Sequence, residues 1–378
     1  MRGDGKRVRL GDVCAVVSGS TPKTTEAKYW GGKFRWVTPA EIQDDTIFIF
    51  DTQRHITEEG IKSSHLQLLP EGTVLLSSRA PIGKVAIAGK EMYCNQGFKN
   101  LICSDKIRNK YLYYYLKNKR EYLHSLGRGA TFKEISLRIV ENLELYLPSL
   151  GEQDIVIKKL DLITMLIDCF HRQRESFDEI VKSRFTEMFM GDYLPVVVGD
   201  EFKTCSGGTP SRKNLDYYKN GTIPWLTSGE ISKGVIREAS QMITEDALNN
   251  SSAKIIPKNS VLIAMYGATA GKVGLLQSPM TTNQAICAVL PNDDFNPYYT
   301  YYAFRNLERD MVERATGGAQ PNISQQIIRQ LEIKKPPIDI QNQFAEFVVE
   351  VDKSKLAIQK SIDELEILKK KLMQEYFG

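Results

Sequence analysis

The sequence predicts an α+β chain written twice: two similar mixed α/β globular domains, each followed by a long helix, with the two helices antiparallel about an internal pseudo-two-fold. Three observations predict this. An internal repeat runs the length of the chain at an offset of 187 to 189 residues, a period of about 188. That is far longer than the period of a solenoid and fits whole domains plus connectors. Two proline-free segments share one heptad register. Between them, strand-like and helix-like runs are separate rather than alternating, which argues against a doubly wound parallel sheet.

The elements follow in order. Residues 1–151 form the first domain. Thr73-Val74-Leu75-Leu76, Val85-Ala86-Ile87 and Leu143-Glu144-Leu145-Tyr146-Leu147 read as strands, and Tyr111-Leu112-Tyr113-Tyr114-Tyr115-Leu116 begins a helical stretch. Residues 152–194 form the central long helix, approached through Leu147-Pro148-Ser149. Its apolar positions recur with spacings of 4 and 3: Val156, Leu160, Ile163, Ile167, Phe170, Phe177, Val181 and Met188, with Arg174 and Arg184 as the polar interruptions. Residues 195–337 repeat the domain, with Val261-Leu262-Ile263-Ala264 as a strand and Tyr298-Tyr299-Thr300-Tyr301-Tyr302-Ala303 starting a helix. Residues 338–378 form the last long helix after Pro336-Pro337. Adding 188 to the first register gives Phe344, Val348, Val351, Ile358, Ile362, Leu365, Leu372 and Tyr376, interrupted by Lys355 and Lys369. These side chains are the expected seam of an antiparallel coiled coil.

Composition places the chain in the globular class: 378 residues, 42% hydrophobic and 25% charged, which excludes disordered and fibrous chains. No run reaches the ~18 apolar residues of a membrane span. The opening Met1-Arg2-Gly3-Asp4-Gly5-Lys6-Arg7 leads into no apolar signal core, so a cytoplasmic location is expected. The 6 cysteines (Cys14, Cys94, Cys103, Cys169, Cys205, Cys287) lack the paired spacing of a zinc site and are expected as buried or half-buried thiols. Net charge is +4 overall, but the four segments carry +7, −3, +2 and −2 in turn. A polyanion would therefore meet the two domains rather than the helices.

No catalytic constellation emerges. Gly267-Ala268-Thr269-Ala270-Gly271-Lys272-Val273 has three residues between its glycines and no hydroxyl after the lysine, unlike a phosphate loop. Asn296-Pro297-Tyr298-Tyr299 is close to the signature of amino-group DNA methyltransferases but lacks the second proline and a methyl-donor loop, and reads as a helix start. Glu332-Ile333-Lys334 has no acidic partner for a nuclease metal site. The four histidines have no counterparts in the other copy. Neither catalysis nor metal binding is expected.

What repeats is a set of loop motifs. Ser18-Gly19-Ser20-Thr21-Pro22 returns as Ser206-Gly207-Gly208-Thr209-Pro210, and Trp36-Val37-Thr38-Pro39-Ala40-Glu41-Ile42 as Trp225-Leu226-Thr227-Ser228-Gly229-Glu230-Ile231. Gly83-Lys84-Val85 returns as Gly271-Lys272-Val273, Asn95-Gln96 as Asn283-Gln284, and Gln153 as Gln341. Glycines let backbone amides approach phosphates, and Arg, Asn and Gln suit base edges. The candidate DNA-contacting residues are Lys23, Thr24, Thr25, Arg79, Lys84, Arg128, Thr131 and Lys133 in the first domain. In the second they are Ser211, Arg212, Lys213, Tyr266, Lys272, Gln320 and Asn322. Asn95-Gln96 and Asn283-Gln284 read either as base readers or as partners of buried backbone. Trp36 and Trp225 read as core.

The duplicated motif set, with the order domain, helix, domain, helix, resembles the specificity subunit of type I restriction–modification enzymes over nearly the whole chain. The resemblance implies two target recognition domains, each reading half of a split duplex DNA sequence in the major groove. The helices, the conserved regions of that family, act as a spacer. Two methyltransferase subunits using S-adenosylmethionine would dock on this chain, and two restriction subunits using ATP and Mg would join them. The specificity subunit itself has no catalysis and no cofactor. The unmatched pairs Arg79 and Tyr266, Thr24-Thr25 and Arg212-Lys213, and Thr131 and Gln320 imply unlike half-sites and an asymmetric target. Residues 152–190, 39 positions, would span about 58 Å as a helix, more than the roughly 34–36 Å between half-sites one turn apart. The rival reading is a two-headed protein scaffold that ignores DNA.

Overall fold

The structure is a computed structural model and describes residues 5–128, 133–315 and 321–378. It divides into two compact units, Met1–His171 with Lys360–Gly378, and Arg172–Gln359. Each unit therefore holds one globular domain and half of each long helix. The long helices run Leu150–Phe189 and Ile338–Phe377, so the first begins two residues before the expected boundary at 152.

In the first unit a five-stranded sheet has the order Cys14–Ser18, Lys99–Cys103, Val74–Leu76, Val85–Ala88, Phe48–Ile49. A three-stranded sheet is centred on Trp30–Val37, which pairs antiparallel with Arg54–Ile56 and parallel with Tyr93–Cys94. The expected strand near Leu143 is Glu144–Leu147, paired antiparallel with Lys6–Arg9. The second unit repeats the plan. Its five-stranded sheet has the order Thr204–Ser206, Ile286–Val289, Val261–Ala264, Val273–Leu276, Val235–Ile236. Its smaller sheet is centred on Ile223–Leu226, again antiparallel to one neighbour and parallel to the other. The tyrosine runs are helices, Asn109–Asn118 and Pro297–Asn306. Most of their tyrosines are buried in the core, and some of the hydroxyls reach backbone: Tyr115 donates to the Glu144 carbonyl at 2.7 Å and Tyr299 to the Lys334 carbonyl at 2.6 Å.

Within each unit the long-helix halves run antiparallel. In the first, Val156 and Leu160 share a core with Met373 and Phe377, and Lys159 Nζ meets Tyr376 Oη at 3.1 Å. In the second, Val181, Phe185 and Phe189 share a core with Phe344, Val348 and Val351. Ile163, Ile167, Ile358 and Ile362 are buried; Phe170, Phe177, Leu365 and Leu372 are half-buried. The polar interruptions find partners: Arg174 donates to Gln359, and Lys355 pairs with Asp178 at 2.6 Å.

All six cysteines are free thiols. Five are buried or half-buried, but Cys169 is exposed, because it lies on the long helix outside the seam. No described helix is long and apolar enough to cross a membrane.

Candidate nucleic-acid interface

In each domain the repeated motifs, distant in sequence, are stitched along one edge. Gly19 lies so close to the Asn95 carbonyl that a Cβ there would sit 1.9 Å from it; at Gly207 a Cβ would meet Thr282 at 2.2 Å. Only glycine allows this approach. Thr21 then donates to Gln96, and Thr209 to Gln284. The Trp36 indole N–H donates to the Ser20 carbonyl at 3.2 Å, and that of Trp225 to the Gly208 carbonyl at 3.0 Å. Both tryptophans are buried, so they brace the turn from beneath. The Asn-Gln motif thus clips the turn in both domains.

The Thr-x-x-Glu of the tryptophan motif is a capping box. Thr38 N donates to Glu41 at 2.8 Å and Thr227 N to Glu230 at 3.3 Å. Burial pushes the Glu230 carboxyl up, but Lys233 and the amides of Thr227 and Ser240 outweigh it and hold the group below the usual range.

The next loop is bonded in turn. Ser78 N donates to the Gly97 carbonyl at 2.7 Å and Ile135 N to the Ser78 carbonyl at 3.0 Å. In the second domain Met265 N donates to Ala285 at 2.8 Å and Ile323 N to Met265 at 2.7 Å. Isolated bridges Arg79 to Glu134 and Tyr266 to Asn322 complete the equivalence. Five chain segments thereby meet in each domain, in the same hydrogen-bond pattern.

On that edge Lys23, Thr24, Thr25, Arg79, Arg128 and Lys133 are exposed in the first domain, and Ser211, Arg212, Lys213, Tyr266, Lys272 and Asn322 in the second. Thr131 and Gln320 lie outside the described residues. Several candidates are engaged within the fold. Arg79 Nε pairs with Glu134 at 3.0 Å and Lys272 with Glu308 at 2.8 Å. Lys84, half-buried, directs its ammonium to the Ile42 carbonyl at 2.7 Å, so its charge serves the capping turn. Sequence reasoning missed Glu134 and Lys99, which lie 35 residues apart in the chain and meet at 3.1 Å; no local spacing signals that pair.

The motifs set aside above have structural roles. Gly-Lys-Val opens the strands Val85–Ala88 and Val273–Leu276 rather than a helix. Asn296 caps Pro297–Asn306 by accepting from Tyr298 N at 2.9 Å. Glu332–Lys334 is a strand paired with Pro195–Val197. Among the described residues no cluster of three or more His, Cys, Asp or Glu could hold a metal.

Both repeats of the chain are similar to known proteins. The family of the type I restriction modification DNA specificity domain matches twice, over residues 3–175 and 191–367. The chain is 30% identical over 369 residues to the type I restriction enzyme MjaIX specificity subunit of Methanocaldococcus jannaschii, covering 90% of this chain and 85% of that one. Two solved structures share the fold. One, from work on complex assembly and conformational transition of the type I R–M system, has a TM-score of 0.67 at 17% identity and covers 100% of this chain and 98% of the other. The S subunit of a type I system from M. genitalium has a TM-score of 0.59 at 16% identity, covering 99% and 96%.

Proposed function

This chain belongs to the type I restriction–modification DNA specificity family, and from that premise we propose that each of its domains reads one half of a bipartite, asymmetric duplex DNA target. It is the specificity subunit of such a system and not its catalytic part. The observation that carries the DNA-reading function is the stitched edge. The same hydrogen-bond frame occurs in both domains, and basic and polar side chains stand on it. Residues shared by the copies build the frame: Gly19 and Gly207, Thr21 and Thr209, Gln96 and Gln284. Residues that differ at matched places, Arg79 against Tyr266 and Thr24-Thr25 against Arg212-Lys213, face solvent. Unlike readers on like frames give unlike half-sites.

The paired long helices serve as the spacer and as the platform for two methyltransferase subunits, with two restriction subunits joining them. Exposed apolar side chains support the platform role. Ile155, Leu162 and Met165 on the first long helix are 54%, 52% and 56% exposed, and Leu356 on the second is 73% exposed; exposed apolar side chains of this kind suit a partner. S-adenosylmethionine, ATP and Mg belong to those partners.

The test is a map of methyladenine in cells expressing the partner methyltransferase with and without this chain. A split, asymmetric motif that depends on the chain is expected. A perfectly palindromic motif would contradict the unlike-reader argument, and the absence of chain-dependent methylation by an active, soluble complex would overturn the DNA-reading function. Deleting about four residues from each long helix should shorten the gap between half-sites, whereas an unchanged gap would refute the spacer role.

A further inference from the structure

We propose that Arg79 reads a guanine in the half-site of the first domain, and that Glu134 is the positioning residue that aims it. This deepens the DNA-reading function above and rests on it.

The backbone fixes where Arg79 starts. It follows Ser77 and Ser78, both fully buried, and Ser78 is bonded to Gly97 on one side and to Ile135 on the other. The side chain is held next. Glu134 accepts from Arg79 Nε at 3.0 Å on one oxygen and from Lys99 Nζ at 3.1 Å on the other. The Lys99 side chain is only 9% exposed, whereas that of Arg79 is 46% exposed. Glu134 is therefore anchored from beneath by a nearly buried ammonium and presents its second oxygen to the guanidinium. Burial raises the Glu134 carboxyl, and the two cations more than offset that, so it stays ionised.

The charge count matters. Lys99 cancels Glu134, and Arg79 remains as the surplus positive charge on the edge. Its contact with Glu134 is made through Nε, which leaves the Nη1 and Nη2 fork as the group that matches the O6 and N7 acceptors of guanine in the major groove. A guanidinium already fixed in one plane loses less rotamer freedom when it docks.

The second domain is the internal control. The same three places hold Tyr266, Cys287 and Asn322. Ser18 pairs with Lys99 where Ser206 pairs with Cys287, and the Tyr266 to Asn322 bridge mirrors that of Arg79 to Glu134. None of the three carries a formal charge, and no tyrosine can form the two-pronged contact. A guanine read by an arginine at this place therefore belongs to the half-site of the first domain alone.

The experiment maps methyladenine with the full chain and its methyltransferase, comparing wild type with Arg79→Ala and Glu134→Gln. The wild-type motif should hold a guanine in one half. Arg79→Ala should relax that single position by roughly 5- to 150-fold in discrimination, the range of one bidentate base contact, and leave the other half unchanged. Glu134→Gln should relax the same position less. If Arg79→Ala gives no soluble complex, Glu134→Gln alone carries the test, since the second domain tolerates an amide at this place. An unchanged motif with a shallower salt dependence of binding would make Arg79 a phosphate contact and overturn the proposal; an unchanged motif with unchanged salt dependence would make the trio structural and overturn it as well. Both results leave DNA reading intact, whereas loss of chain-dependent methylation in the wild type would remove the DNA-reading function itself.

Discussion

Rings join domain to long helix in both units, Tyr111 to Phe377 at 5.1 Å in the first and Tyr299 to Phe185 at 5.7 Å in the second, but the first adds charge at places that are neutral in the second. In the first, Arg108 makes a two-pronged pair with Asp154 at 3.0 and 3.2 Å, and Asp161 takes both Lys110 at 2.6 Å and the Tyr114 hydroxyl at 2.7 Å. The matched places in the second are neutral. Asn296 bonds Asn342 at 2.8 Å, Val349 stands where Asp161 does, and Tyr302 packs on Phe344 with ring centroids 5.3 Å apart. One feature is the same in both. Gln153 and Gln341 are fully buried and each satisfies three backbone groups: Gln153 accepts from Arg108 N and donates to the Lys106 and Pro148 carbonyls, and Gln341 accepts from Asn296 N and donates to Asp294 and Pro336. The buried amide sets how the helix leaves the domain, and the surroundings are free to be ionic or aromatic.

The largest effect should come from the rings. Phe344 is fully buried and touches Phe185 and Phe189 at centroid distances of 5.3 and 5.5 Å. Phe344→Ala should cost about 3–5 kcal/mol in denaturant unfolding of the whole chain. Its counterpart Val156 gives up far less area, and Val156→Ala should cost roughly 1–2 kcal/mol. Equal costs would mean that the aromatic cluster adds nothing over aliphatic packing.

The two glutamines should come next and should match. Gln153→Leu or Gln341→Leu takes the side-chain partner from three part-buried or buried backbone groups, and about 2–3 kcal/mol is expected for each variant. A large inequality would show that the ionic or aromatic surroundings, rather than the amide, hold the junction.

How much of this was legible in the sequence depends on the range of the signal. The long helices were legible because their apolar period is dense and repeated. The last turns of the seam were not. The 4,3 ladder from Val156 reaches Arg184 and Met188, yet the buried rings are Phe185 and Phe189, and in the second copy Met373 and Phe377 are buried where Leu372 and Tyr376 were expected. A straight helix drifts about 20° per heptad against a strict 3.5-residue repeat, so after four heptads the inward face has moved by one residue in both copies. The shared motifs of the stitched edge were legible as a repeat, but their work as clips was not. The partners of Thr21 and Trp36 lie in other segments, and the Lys99, Glu134 and Arg79 trio exists only because the sheet brings three segments together.

A smaller effect separates the junctions by salt. The Asp161 cluster is about one-third exposed, and its pairs are worth about 1 kcal/mol. Amide exchange of Asn109–Asn118 in the whole chain should quicken severalfold as salt rises from ~0.05 to ~0.5 M, where the Debye length shrinks to a few ångströms. Exchange of Pro297–Asn306, held by rings and amides, should stay level. A parallel response of both helices would show that the charges in the first junction add no stability beyond what the neutral contacts supply in the second.

The smallest change compares the two turns that follow the Ser-Gly-x-Thr-Pro motifs. Arg212 and Lys213 are exposed beside the second turn, where the first has the uncharged Thr24 and Thr25. If the pair contacts phosphates, Arg212→Ala with Lys213→Ala should lower the slope of log affinity against log salt by about 1.8, since each phosphate contact releases about 0.9 counterion from duplex DNA. Phosphate contacts position but do not specify, so an unchanged methylated motif would remove Arg212 and Lys213 from the unlike readers and leave Arg79 against Tyr266 to carry the asymmetry. The reciprocal change, Thr24→Arg with Thr25→Lys, should steepen the slope by a similar amount if the two edges meet DNA in the same way. A steeper slope from the second variant would equate the edges as DNA-facing surfaces. A flat response to it, beside a clear loss from the first, would place the first turn off the phosphate backbone and limit the equivalence of the two domains to their internal frame.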